Sequence, residues 1–191
     1  MKNLINKFLF STFFTLLLSF SHAKADLQVV TSIKPIHSLA SLLMDGIGAP
    51  KLIVDGSNSP HNFTLKPSHA KMLQNADLVF WVGENIETFL EKPLSTVAKK
   101  AKKIELMEIS QIKKLKFREK NIFEGHHDDH GHAHGEHDPH IWLDPLNAKV
   151  ILKVMAKNMK MMDKKNSAKY DLNLKPVIAP SGGNATPRNS H

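Results

Sequence analysis

Short β-branched runs alternate along this chain with stretches whose apolar residues recur every three or four positions. Leu27–Ile33 is the first such run and reads as a buried strand. Pro35 suits the first turn of a helix, Ile36, Leu39, Ala40 and Leu43 repeat at helical spacing, and Gly46 and Gly48 stop the pattern. Lys51–Val54 reads as a second strand, and the turn-rich segment from Gly56 to Pro60 as a loop. Ser68–Asn75 follows as a helix with Ser68 as its N-cap. Ala76–Val82 is the clearest strand and is closed by Gly83. Ile86–Ala101 is helical with an interruption at Pro93, and Lys103–Met107 is a fourth strand. The order βαβαβαβ, with strands that are apolar almost throughout, predicts an α/β lobe built on a parallel sheet covered on both faces. Ligands of such sheets collect beyond the carboxyl ends of the strands, and His61 falls in the loop after the second strand.

The ends of the chain and its middle break this rhythm. Met1–Lys7 carries two lysines, Phe8–Phe20 is apolar apart from Ser and Thr, and Ala23-Lys24-Ala25 is a small-x-small cleavage site. These three parts make residues 1–25 a secretory signal peptide with Asp26 as the mature start. The apolar run is too short for a spanning helix, which needs about 20 residues. From Gln111 to Asp138 the chain is polar and irregular, and Gly125–His137 is a low-complexity run of His, Asp, Glu and Gly that cannot bury a core. Asp144-Pro145 then gives a strong helix start. Leu146, Val150, Val154 and Met161 continue at helical spacing to about Asn166, and Ser167–Leu174 extends the element. Lys175–His191, with three prolines and two adjacent glycines, reads as a disordered tail. The expected organisation is a leader (1–25), an α/β metal-binding lobe (26–120), a flexible His-rich loop (121–139), a long-helix region (140–174) and a tail (175–191).

Composition narrows the chemistry. The 191 residues include no cysteine and 12 histidines. Disulfide scaffolds, Cys-based zinc sites, iron–sulfur centres, thiol nucleophiles and a lipid-modified cysteine are excluded, which leaves His and carboxylate as metal ligands. The leader carries three of the 26 basic residues and none of the 18 acidic ones, so the net charge falls from +8 to +5 on its removal. With no aromatic residues interleaved among the basic ones, that excess reads as a solvated lysine surface and not as a nucleic-acid footprint. The expected product is free in the periplasm and not membrane-embedded.

Seven of the 12 histidines lie between His126 and His140. His126, His127, His130, His132, His134 and His137 alternate with Asp128, Asp129 and Glu136, a composition whose evident use is capture of several metal ions with modest affinity. A solvated linker or a purification tag is the bland alternative, but a tag would be terminal and uninterrupted by acids. His61 follows Pro60 and His140 follows Pro139, just before the long helix. The positive end of that helix would keep an imidazole neutral, as a metal requires. On spacing alone a lone histidine is more often a packed structural group than a ligand, so both readings stand for each. His37 and His69 read as structural and surface residues, and Glu84 and Glu87 as surface acids. The chain has no G-x-S-x-G, H-E-x-x-H, P-loop or dinucleotide motif, so no enzyme is expected.

Four segments in register carry a resemblance. Ile33–Leu39 (IKPIHSL), Pro60–Ser68 (PHNFTLKPS), Leu73–Gly83 (LQNADLVFWVG) and His140–Pro145 (HIWLDP) are similar to the periplasmic zinc-binding proteins of ABC importers, the ZnuA type, from about Gln28 to Leu174. The resemblance implies two α/β lobes joined by a long helix, with the metal in the cleft between them. By position, it makes His61 the first-lobe histidine ligand and His140 the histidine ligand before the long helix. It makes the His-rich loop a mobile segment that collects zinc or senses its abundance. Manganese-binding relatives generally lack such a loop, so Zn2+ is the expected transported ligand and an inner-membrane ABC permease the expected partner of a monomer. The chain also departs from the pattern. The resemblance ends near Leu174, and the family's second lobe is expected to be missing, with its third histidine and carboxylate ligands. Pro60 stands where some members carry a glutamate ligand. A two-ligand site completed by water and a helix with an exposed apolar side are the expected consequences. The alternative is a truncated, transport-incompetent product acting as a low-affinity periplasmic zinc buffer.

Overall fold

The structure is a computed structural model that describes residues 26–56, 59–60, 63–116 and 137–179. The expected leader (1–25), His61, residues 126–136 of the expected His-rich loop, and residues 180–191 of the expected tail lie outside the described residues.

Four strands, β1 (Val29–Thr31), β2 (Lys51–Leu52), β3 (Leu78–Trp81) and β4 (Lys102–Glu105), pair in the order β2-β1-β3-β4. All three pairings are parallel, with Val30 opposite both Lys51 and Val79, and Val79 opposite Lys103. Helices α1 (Lys34–Met44), α2 (Pro67–Gln74) and α3 (Glu84–Thr96) make the crossovers. The central strands β1 and β3 are buried along their whole length, as their continuous apolar runs require. Each strand is shorter than its apolar run. Ser32, Ile53 and Val54 still make backbone bonds but have begun to turn away toward the loops.

α1 starts at Pro35 in its first turn, buries Ile36, Ala40 and Leu43, and ends before Gly46, whose φ of 68° is left-handed. Asn173 reaches across to its end, and its Nδ2 donates to Leu43 O at 2.8 Å and Asp45 O at 2.9 Å. α2 begins one residue earlier than expected, with Lys66 at the N-cap and Ser68 inside the first turn. His69 takes the capping role: its Nδ1 accepts from Lys66 N–H at 3.1 Å, so His69 is buried and not a surface residue. Gly83 connects β3 to α3 at φ 152°, a conformation open to glycine, and a Cβ there would lie 2.9 Å from Glu105 Oε1. Glu87 departs from the sequence expectation most clearly. It is fully buried inside α3, at a break in the helix.

The long helix expected after Asp144 is two helices, α4 (Pro145–Met162) and α5 (Ser167–Ile178). Asp144 Oδ1 caps the first by accepting from Leu146 N–H at 2.8 Å, with Pro145 in its first turn. At the break, Asp163 Oδ2 accepts from Asn166 Nδ2 at 2.6 Å and from the buried Tyr170 hydroxyl at 3.1 Å. Those bonds fold α5 back against α4, and both pack on α1. The buried face of α4 is Ile151, Leu152, Met155, Ala156 and Met159; Leu146 and Met161 of the expected stripe are exposed. α5 runs to Ile178 through Pro176, so residues 175–178 are helical and not part of a disordered tail. Among the described residues no helix is long and apolar enough to cross a membrane.

Candidate metal centre

His140 stands at the entrance to a short 3-10 turn, Ile141–Leu143, that leads into α4. Its orientation is set by Asp138, two residues earlier. Asp138 Oδ1 accepts from the His140 backbone N–H at 2.9 Å and from Nδ1 of the ring at 2.6 Å. A proton placed on Nδ1 by that bond leaves Nε2 with its lone pair outward, the arrangement that carboxylate–histidine pairs give a metal-ligating imidazole. The two bonds, the backbone one first, hold the Asp138 carboxyl below its ordinary range. The ring meets Trp142 edge-on with centroids 5.3 Å apart. The positive end of α4 is answered by Asp144, so Asp138 rather than the helix terminus is the group in contact with the imidazole.

His140 and Trp142 form one side of a cleft of about 390 Å³. The other side comes from the carboxyl ends of the strands: Ile33 and Lys34 after β1, Val54 and Gly56 after β2, and Ile86 at the start of α3. Pro60, the residue before His61, also lines this cleft. His61 itself lies outside the described residues. After it in the chain, Phe63 packs at a tilt against the rings of His69 (centroids 5.3 Å apart) and Phe89 (5.1 Å). Pro60 and His140 thus line one cleft, where parallel sheets place their ligands.

The His-rich segment leaves and returns beside this site. Lys116 and His137 form an isolated antiparallel bridge, and Asp138 N–H donates to Leu115 O at 2.8 Å. Asn147 of α4 holds the segment leading to Lys116, its Oδ1 accepting from Lys113 N–H at 2.9 Å and its Nδ2 donating to Lys113 O at 3.0 Å. His137 is thus held at the neck; His126, His127, Asp128, Asp129, His130, His132, His134 and Glu136 lie outside the described residues. A second hollow also borders His140, and the exposed Leu115 and Leu143 line it. His37 lines a different hollow, its Nε2 within hydrogen-bond distance of Pro50 O at 3.2 Å. Among the described residues no three His, Asp or Glu side chains come together to hold a metal ion.

Asp138 and Trp142 were not singled out by the sequence. The signal for Asp138 was an acid two residues before the candidate histidine, hidden because it ends a segment already rich in acids.

Comparison with known proteins shows the family. Residues 29–180 match the family described as zinc-uptake complex component A, periplasmic. The high-affinity zinc uptake system protein ZnuA of Brucella abortus (strain 2308) is 40% identical over 205 residues, covering 92% of this chain and 61% of that protein. The protein of the same name from Yersinia pestis is 35% identical over 164 residues, 79% of this chain and 51% of its own. The chain thus spans less than two thirds of the length of these curated relatives. In fold it is similar to the Mn-bound periplasmic metal binding protein from Candidatus Liberibacter asiaticus (TM-score 0.62, 24% identity, 77% of this chain and 50% of that one). It is also similar to the Zn(II)-bound ZnuA-like domain of Streptococcus pneumoniae AdcA (TM-score 0.61, 20% identity, 78% and 49%). With a match from β1 to the end of α5, the chain belongs to the periplasmic zinc-uptake component A family.

Proposed function

We propose that this chain is a periplasmic zinc receptor that binds Zn2+ between His61 and His140 and passes it, as a monomer, to an inner-membrane ABC permease. The observation that supports the reading is that His140, its ring bonded to Asp138, lines the same cleft as Pro60. Imidazole suits zinc better than it suits harder divalent ions, and water would complete a tetrahedral shell around two protein ligands. Binding is reversible coordination; no nucleophile or general base is assigned beside it. The segment holding His126, His127, Asp128, Asp129, His130, His132, His134, Glu136 and His137 would collect further ions at the neck formed by Lys116 and His137. In this reading residues 1–25 export the chain, 26–120 and 140–174 build the site, and 121–139 feed it.

Asp138→Ala tests the pair directly. Loss of an outer-shell partner of a metal-ligating histidine costs about 10–100-fold in affinity. Zinc competition against a chromophoric chelator is expected to show that loss with unchanged thermal unfolding, since both side chains are about half exposed. An unchanged zinc affinity would remove the pair from the site.

A second reading, a zinc buffer that feeds no permease, rests on the absence of a three-ligand group among the described residues. Expression of this chain in a receptor-deficient strain separates the two. Growth in zinc-limited medium is expected of the receptor and not of the buffer.

A further inference from the structure

Next in the chain to Ile86 of the cleft wall is a titratable group that zinc coordination does not use. Glu87 is fully buried, and its Oε2 accepts from Val82 N–H at 2.7 Å and Gly83 N–H at 3.2 Å, the two amides of the turn that leaves β3. The backbone of Glu87 departs from helical geometry (φ −120°, ψ 47°), so α3 is a single first turn, Glu84 to Ile86, followed by a break. Ile86, on that first turn, lines the metal cleft. The second carboxyl oxygen, Oε1, is buried without a hydrogen bond of good geometry, and so is the hydroxyl of Ser32. Ser32 follows β1 directly and precedes Ile33 and Lys34 of the cleft wall. A buried carboxyl with two amide donors and an incompletely bonded oxygen has a reason to change its protonation near neutrality.

We propose that Glu87 is a positioning residue of the metal cleft, whose ionised carboxylate pins the β3–α3 turn and favours the metal-bound state.

Two effects act in the same direction. Hydrogen bonds from amides to a carboxylate are stronger than those to a neutral acid, so ionisation tightens the turn that carries Ile86. A negative charge on the residue that follows Ile86 of the cleft wall also favours a dication in the cleft. The charged and polar groups around the carboxyl are known. Ser32, just after β1, favours the ionised form, as do the Gly83 and Val82 amides, while Glu105 on β4 opposes it. Burial is the largest influence and raises the carboxyl to about 7. Glu105 is itself raised by burial and by Glu108 and Glu84. Zinc affinity should therefore rise through neutral pH by more than deprotonation of the two histidines accounts for.

The inference rests on the zinc site proposed above, and the test separates the two. Zinc affinity of the full chain is measured by chelator competition from about pH 6 to pH 8.5 for wild type, Glu87→Gln and His140→Ala. Amide exchange at Val82 and Gly83 is followed without metal over the same range. Glu87→Gln keeps the shape and fixes the neutral form. Its zinc affinity is expected to equal wild type at the acid end and to fall about fivefold below it at the alkaline end, the difference between an ionic and a neutral hydrogen bond. Wild-type exchange at the two amides, corrected for intrinsic rate, is expected to slow as pH rises, and Glu87→Gln to show no such change. Affinity profiles that run parallel at a constant ratio, beside a His140→Ala chain that has lost tight binding, would overturn the role of Glu87 alone. Full affinity in His140→Ala would overturn the site and the linkage together.

Discussion

His140→Ala is expected to weaken binding of the first zinc equivalent by about 10²–10³-fold. Four-ligand zinc sites are worth about 10–16 kcal/mol in all, or roughly 3–4 kcal/mol for each ligand. The histidine is half exposed and packs only edge-on against Trp142, so its removal opens no cavity and the loss should not come from unfolding. In His61→Ala with His140→Ala the tight phase should vanish. The weak, multi-site phase of the His-rich segment would then set a floor, and the titration would lose its sharp first equivalent while still taking up several ions. Isothermal titration at fixed pH distinguishes the phases. A tight phase that survives the double substitution would place the zinc elsewhere.

Phe80→Ala is expected to cost about 3–5 kcal/mol of folding stability, the range for deleting a fully buried phenyl ring. Phe80 is fully buried in β3, opposite Thr31 on one side and Ile104 on the other. Such a loss is a large part of the stability of an ordinary domain. Its consequence for function is indirect. β3 carries Val82, Gly83 and the start of α3 to the cleft floor, so the folded fraction, not the ligands, would limit zinc binding. Urea unfolding should show a lower midpoint with an unchanged slope. A loss below about 1 kcal/mol would mean that the ring is not part of a close-packed core.

The sheet was legible because its strands are buried on both faces. A run such as Leu78 to Trp81 has one reading once helical patterns flank it. Asp144 and Pro145 announced α4 because a cap acts through its own neighbours. What the sequence did not show depends on contacts far along the chain. Glu87 reads as a surface acid next to Glu84, and only the return of its side chain to the Val82 and Gly83 amides makes burial tolerable. His69 is buried for the same kind of reason, as the acceptor of its own helix cap. The face of α4 was misjudged because packing against α1 and α5 selects Ile151, Met155 and Met159 over the equally apolar Leu146 and Met161. The break at Asp163 depends on Tyr170, seven residues on. At the site, His140 stood out by its neighbours, whereas the partner that orients it was lost among the acids of the preceding segment.

The most direct test of the central claim reads the imidazoles themselves. Long-range ¹H–¹⁵N spectra of the full chain, recorded before and after one equivalent of zinc, report the tautomer and metal contact of each ring. The expected result is a metal-bound Nε2 on His140, with Nδ1 protonated toward Asp138, and a matching shift of His61. His37 and His69, held by Pro50 and Lys66, should not move. If the first equivalent instead perturbs only His126, His127, His130, His132, His134 and His137, leaving His61 and His140 untouched, zinc is held by the His-rich segment and the cleft is not its site.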